Sequence, residues 1–201
     1  MKTLEVEITL EEEMLGTSPN DEDIYRNFIG SKAPDAQTVE EEVEALGADA
    51  VAEKGMTVFS RDEDGNPCLY DYMFKGFFKD AISMLKKATG SKCANIKAHK
   101  KMVDGLVFVN PRLVPIVMPE GAEIGICQRP LRAQTPQGER VALSMSESVP
   151  AGSKMTVEIT CLTDSDLPYI RECLDYGRLR GIGQWRNSGK GRFTWKELNC
   201  Y

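Results

Sequence analysis

Histidine is almost missing from this chain: His99 is the single one in 201 residues. The six cysteines stand apart at 68, 93, 127, 161, 173 and 200, with no Cys-x-x-Cys pair. Together these shortages exclude the common structural zinc patterns, and the thiols read as reduced and mostly buried, as in a cytosolic protein. No apolar run approaches the roughly 18 residues of a membrane span. The stretch from Met1 to Glu7 has no apolar signal core, so neither a membrane nor export is expected. There is no glycine fingerprint after a strand and no Gly-Lys-Ser/Thr opening a helix, so no nucleotide cofactor is implied. His99 lies among Lys97, Lys100 and Lys101, which suits a surface role better than a catalytic one. Asp62, Glu63 and Asp64 lack the spacing of a calcium loop and read as a polar turn. No metal is expected.

What the chain does have is a divided charge. Residues 1–74 carry 19 acidic and five basic side chains, whereas 75–201 carry 12 and 20, for a net charge of −6. An acidic whole argues against promiscuous nucleic-acid binding, while a basic second part permits a positive face. Equally, the acidic helices can lie over the basic region and neutralise it.

Periodicity gives the elements. Leu4, Val6, Ile8 and Leu10 alternate on one face of a strand over 3–10. Residues 14–55 read as an acidic helical insertion, with an N-cap at Asn20 and a capping box from Thr38 to Glu41. A strand at 56–60 and a turn at 61–67 follow. Phe78, Ala81, Ile82 and Leu85 form a helical stripe, with Lys75 and Gly76 in the first turn of that helix. A lysine there opposes the helix dipole, which makes sense against a phosphate. Residues 92–102 are predicted helical, 106–109 and 113–118 extended. The segment 119–140 is polar and predicted to project as a loop or hairpin; its Arg129, Arg132 and Arg140 lean toward anion contact. Strands at 141–149 and 154–161 and a helix at 167–179 complete the pattern.

That helix leads into the loop around which the rest is organised: Gly181, Gly183, Gly189 and Gly191, with Trp185, Arg186, Lys190 and Arg192 between and after them, before a last strand at 192–195. Glycines free the backbone to take positive φ and to approach a partner closely. With cations and one aromatic, such a loop fits an anionic backbone. A tight helix-to-strand connection with surface cations is the plain alternative. Trp185 is either a stacking face or core.

In this order the motifs resemble the RAMP superfamily (repeat-associated mysterious proteins), in particular the single-domain backbone subunits of CRISPR effector complexes. The likeness is carried by Phe59-Ser60-Arg61-Asp62-Glu63-Asp64-Gly65-Asn66-Pro67 with Lys75-Gly76, by Arg129-Pro130-Leu131-Arg132, by Glu147-Ser148-Val149-Pro150-Ala151-Gly152, and by the glycine-rich loop. The resemblance implies a single α+β domain with a ferredoxin-like (RRM-like) antiparallel sheet, helices on one face, the helical insertion and a projecting thumb-like loop. It implies a cytoplasmic protein that binds single-stranded or guide-type RNA without a cofactor and assembles with itself or with RAMP-like neighbours, as in antiviral defence. Lys75, Gly76 and Lys79 would meet phosphate, Arg129 and Arg132 would lie in the thumb, and Gly181, Gly183, Trp185, Arg186, Gly189, Lys190, Gly191 and Arg192 would line the loop. No residue matches the family's catalytic aspartate, so a non-catalytic role is expected. A stand-alone or viral relative acting through protein contacts is the second reading, and an endoribonuclease using His99 the third.

Overall fold

The computed structural model describes residues 1–20, 56–135 and 138–201; within 131–143 the backbone alone is described. In chain order these residues form β1 (Lys2–Leu10), β2 (Met14–Leu15), β3 (Ser18–Pro19), β4 (Thr57–Val58), β5 (Ser60–Arg61), β6 (Pro67–Tyr70), α1 (Asp71–Leu85), α2 (His99–Leu106), β7 (Val107–Asn110), β8 (Leu113–Pro115), β9 (Gly125–Thr135), β10 (Gly138–Val149), β11 (Lys154–Cys161), α3 (Leu167–Arg180) and β12 (Phe193–Cys200). The architecture is α+β. It divides into two compact units: Met1–Met14, Ser60–Glu123 and Val149–Tyr201 make the first, Leu15–Phe59 and Ile124–Ser148 the second.

The first unit is built on a four-stranded sheet in the order β12-β1-β11-β7, every pair antiparallel. Leu4, Val6 and Ile8 stand opposite Ile159, Val157 and Met155, and all six are essentially inaccessible. A one-residue slip would turn this whole row to the other face, and each side chain is worth roughly 1.5–3 kcal/mol when buried, so the register is firmly set. α1 brings Phe74, Phe77, Phe78, Ala81 and Ile82 into the core, and α3 brings Leu167, Ile170, Cys173 and Leu174. The two helices meet around Phe193, opposite Leu10 in the sheet: its ring lies edge-on to Phe77 at 5.4 Å. A Cβ on Gly177 would come within 2.1 Å of that ring, so only glycine lets α3 close on β12.

A three-stranded sheet, β5-β6-β8, completes this unit. The turn from β5 to β6 is the expected polar one. The Asp62 carboxylate accepts from the Asp64 and Asn66 N–H groups at 3.1 and 2.7 Å, and the Asn66 side chain is foremost in holding its pKa below the ordinary value.

Several elements differ from expectation. The helix predicted over 92–102 is broken: a 3₁₀ turn covers Lys92–Asn95, Ala98 takes φ 48°, and α2 starts at His99. The cause is tertiary. The Glu172 carboxylate on α3 accepts from Ser91 Oγ and from the Lys92 and Cys93 N–H groups, all at 3.1 Å, which fixes that turn apart from α2. Burial pushes the Glu172 pKa up, but these hydrogen bonds outweigh it and the net shift is downward. The single strand predicted at 56–60 is two, β4 and β5, parted at Phe59.

In the second unit β10 pairs along its length with β9, and β2, β4 and β3 complete that sheet. Of the two forms expected for the polar segment 119–140, loop or hairpin, it takes the second, holding a strand of a long antiparallel hairpin; pairing satisfies its backbone whatever its side chains. Glu147 anchors the strand, its carboxylate accepting from the Phe59 N–H at 2.8 Å. The first residues of the expected helical insertion form the short strands β2 and β3, with Gly16 pressed so close to Val58 that a Cβ would lie 2.5 Å from its carbonyl carbon. The rest of that insertion, 21–55, lies outside the described residues.

Candidate nucleic-acid interface

The glycine-rich loop joins α3 to β12 and closes on itself. The Ile182 N–H donates to the Gly191 carbonyl at 2.9 Å, and the Gly191 N–H donates to the Glu13 carbonyl at 2.8 Å. A Cβ on Gly181 would stand 2.5 Å from the Lys190 carbonyl oxygen, and one on Gly191 1.9 Å from that of Ile182. These two glycines let the two ends of the loop cross; the close approach they permit is to the loop's own backbone. Gly183 and Gly189 take φ of 88° and 86° at the turns between. Trp185 takes φ 54°, a left-handed conformation that costs an aromatic residue roughly 1–3 kcal/mol, and it is 44% exposed, so it is not core.

Each cation of this loop faces a carboxylate. Arg186 Nη1 lies 2.8 Å from Asp80 Oδ2, which also accepts from Arg180 Nε at 2.9 Å. Lys190 pairs with Glu13, and Arg192 Nη2 lies 3.1 Å from Glu12. The Asp80 hydrogen bond is foremost in raising the pKa of Arg180. Such part-exposed pairs contribute about 0–1 kcal/mol each, but as a set, three carboxylates to four cations, they offset most of the positive charge here. The neutralising acids come from α1 and from the segment just after β1. The expected cover is the acidic helices of the insertion; among the described residues Asp80, Glu12 and Glu13 supply it. Their only signal is that Glu11-Glu12-Glu13 directly follows a core strand.

On α1, Lys75 and Gly76 lie in the second turn, not the first. The helix starts at Asp71, whose N–H donates to the Arg112 carbonyl at 3.0 Å and whose carboxylate suits a helix N-terminus. The dipole therefore bears less on Lys75 than expected. Lys75 Nζ donates to the Asp104 carbonyl at 3.3 Å and stands 4.7 Å over the Phe108 ring. Lys79 pairs with the Asp104 carboxylate at 2.8 Å, the main cause of its lowered pKa. Gly76 is exposed, and a Cβ on it would meet nothing within 4 Å.

In the second unit, Arg129 lies on β9 opposite Ser144 and is only 9% exposed. Arg132 lies opposite Val141 in the same hairpin, with its side chain outside the described residues. The outer face of the central strands β1 and β11 carries Thr3, Glu5, Glu7, Thr9, Lys154, Thr156, Glu158 and Thr160. With no aromatic among them, those strands offer bases nothing to stack on. Among the described residues His99 Nε2 is buried without a hydrogen-bond partner, and burial first, then Lys86 and Lys100, push its pKa below 6.5.

No family model and no curated protein matches the chain. Solved structures do. Over 100% of its length the chain matches a chain of the type III-B Cmr-beta complex bound to cognate target RNA, at 12% identity and a TM-score of 0.50, and it spans 60% of that chain. Over 98% of its length it matches a chain of a type IV-B CRISPR complex, at 11% identity and a TM-score of 0.51, spanning 90% of it. The chain shares its fold with components of CRISPR complexes. At 11–12% identity this likeness is one of fold. Among the described residues no helix is long and apolar enough to cross a membrane.

Proposed function

We propose that this is a non-catalytic, RNA-binding RAMP-like protein that assembles along RNA or within a CRISPR-type ribonucleoprotein. The observation that carries this reading is the end-to-end likeness in fold to chains of two different CRISPR complexes. A ferredoxin-like core is supported by the strand order β12-β1-β11-β7, with helices between β1 and β7 and between β11 and β12. In this reading Lys75 is the readiest phosphate contact, with Gly76 and Lys79 beside it. Arg186, Lys190 and Arg192 engage RNA by exchanging a carboxylate for a phosphate, and Arg132 contributes from the hairpin. Size-exclusion chromatography with light scattering, read with the 260/280 nm absorbance ratio before and after ribonuclease, tests it. RNA-laden particles that shrink on digestion are expected; an RNA-free species that also fails to take up added single-stranded RNA overturns it.

One observation favours the second reading, a self-assembling or partner-binding module that keeps the fold. The loop cations are already paired within the chain, as in a protein that has no phosphate to meet. An RNA-free oligomer in the same experiment is its expected signature.

A further inference from the structure

Three aromatic rings and two cations gather on the first unit apart from the glycine-rich loop. β6 ends at Tyr70 and α1 starts at Asp71, so Tyr70 and Tyr72 flank a strand-to-helix junction. Their rings stack, with centroids 5.2 Å apart and planes 16° apart. Arg112, on the turn between β7 and β8, lies over both, its guanidinium carbon 5.7 Å from the Tyr70 centroid and 5.9 Å from that of Tyr72. Arg112 Nη1 donates to the Asp71 carboxylate at 2.8 Å. The group is thus held in place, yet the Arg112 side chain is 71% exposed while that of Asp71 is 18% exposed. Tyr72 is 49% exposed. One turn along the same face of α1 stands Lys75, over Phe108, itself 43% exposed.

Flat rings already stacked and pinned by a guanidinium lose little freedom on binding, which is what makes aromatic platforms effective. Every nucleobase has a π-face to lay on such a platform. The acid beside Arg112, Asp71, is the covered one, and the exposed Asp104 near Lys75 is paired with Lys79, so the charge Arg112 presents beside the tyrosines is cationic. A lysine one helical turn away, roughly 5–6 Å between Cβ atoms, is within the span of a single nucleotide. Because β1 and β11 carry no outward aromatic, the shelf supplies the stacking faces that the centre of the sheet lacks.

We infer that Tyr70, Tyr72 and Arg112 form a stacking shelf for an unpaired base of single-stranded RNA, with Lys75 receiving the adjacent phosphate. The inference rests on the RNA-binding reading above and names the place where a base is held.

The test is fluorescence anisotropy with labelled oligouridine of about 15 nucleotides, near the upper site size of a single-strand-binding domain, and with an abasic strand of equal length, across a salt series. Tyr72→Ala and Arg112→Lys are each expected to weaken oligouridine binding about ten-fold. The slope against salt stays unchanged, because no phosphate contact is lost. Arg112→Lys keeps the charge but not the planar face, and Tyr72→Phe keeps the face and retains affinity. The abasic strand binds wild type and variants alike. Variants that melt normally and bind oligouridine as wild type does overturn the shelf and leave the RNA-binding reading standing. Failure of the wild type to bind either strand at low salt overturns that reading, and the shelf with it.

Discussion

In the glycine-rich loop Arg186, Lys190 and Arg192 each meet a carboxylate; on α1 Lys75 meets a backbone carbonyl and an aromatic ring. By composition the loop is the stronger candidate for an anionic ligand, with three cations and four glycines to the two lysines and one glycine of α1. By geometry the order reverses. The loop's charge is largely offset within the chain and two of its glycines serve its own crossing, whereas α1 presents an exposed glycine beside a lysine that, among the described residues, pairs with no carboxylate. Charge counted along a sequence is not charge presented at a surface.

The largest effect expected from this contrast is at Gly191. Alanine there meets the Ile182 carbonyl oxygen at 1.9 Å with φ at 70°, so Gly191→Ala should cost about 3 kcal/mol or more in urea unfolding. A variant of normal stability that has lost only RNA binding would return this glycine to the partner-facing role that its sequence context suggests.

Next is Asp80. Asp80→Asn leaves Arg180 and Arg186 without their shared carboxylate and should cost about 1–2 kcal/mol. If the carboxylate masks the loop, the same variant binds single-stranded RNA more tightly, with a steeper salt dependence by about one counterion. Weaker binding would mean instead that Asp80 orders the loop for its ligand, and the contrast between the two regions would fail.

Gly76→Ala works the other way. A Cβ meets nothing within 4 Å and the residue is helical, so the variant should gain about 0.5–1 kcal/mol in thermal unfolding. A glycine where alanine would stabilise leaves room for something outside the chain to come close. Gly76→Ala should therefore weaken RNA binding while it stabilises the fold. Unchanged affinity would leave α1 as structure alone.

The fold was legible wherever one side of an element is core. Leu4 to Leu10 and Met155 to Cys161 alternate because one face is buried, and Phe78 to Leu85 repeat at helical spacing for the same reason. Legibility failed where distant residues decide the outcome. Glu172 breaks the 92–102 helix from 80 positions away, and no local pattern in 91–95 announces it. Lys190 and Glu13 are 177 positions apart, so the sequence displays the loop's cations and conceals their partners. In the segment 119–140 polar composition leaves loop and hairpin both open, and only the pairing of β9 with β10 decides for the hairpin. Likewise Arg112 reaches Tyr70 and Tyr72 only through the meeting of β6 with β8, and no spacing along the chain predicts that shelf.

The smallest effect concerns Asp104, the carboxylate that pairs with Lys79 of α1. Its pKa lies below the ordinary 3.8, chiefly through the Lys79 hydrogen bond. A carboxyl whose folded pKa is depressed lends stability that is fully present above the unfolded value and is lost as pH falls through the folded one. Asp104→Asn should therefore lower the melting temperature slightly near pH 7 and leave it unchanged well below pH 3.8, where both proteins are neutral at this position. The same variant frees Lys79, so RNA affinity near pH 7 should rise, though by less than in Asp80→Asn, because one cation is released rather than two. A rise as large as that of Asp80→Asn would show that masking by carboxylates is as strong on α1 as in the loop, and the difference between the two regions would then rest on the glycines and the rings alone.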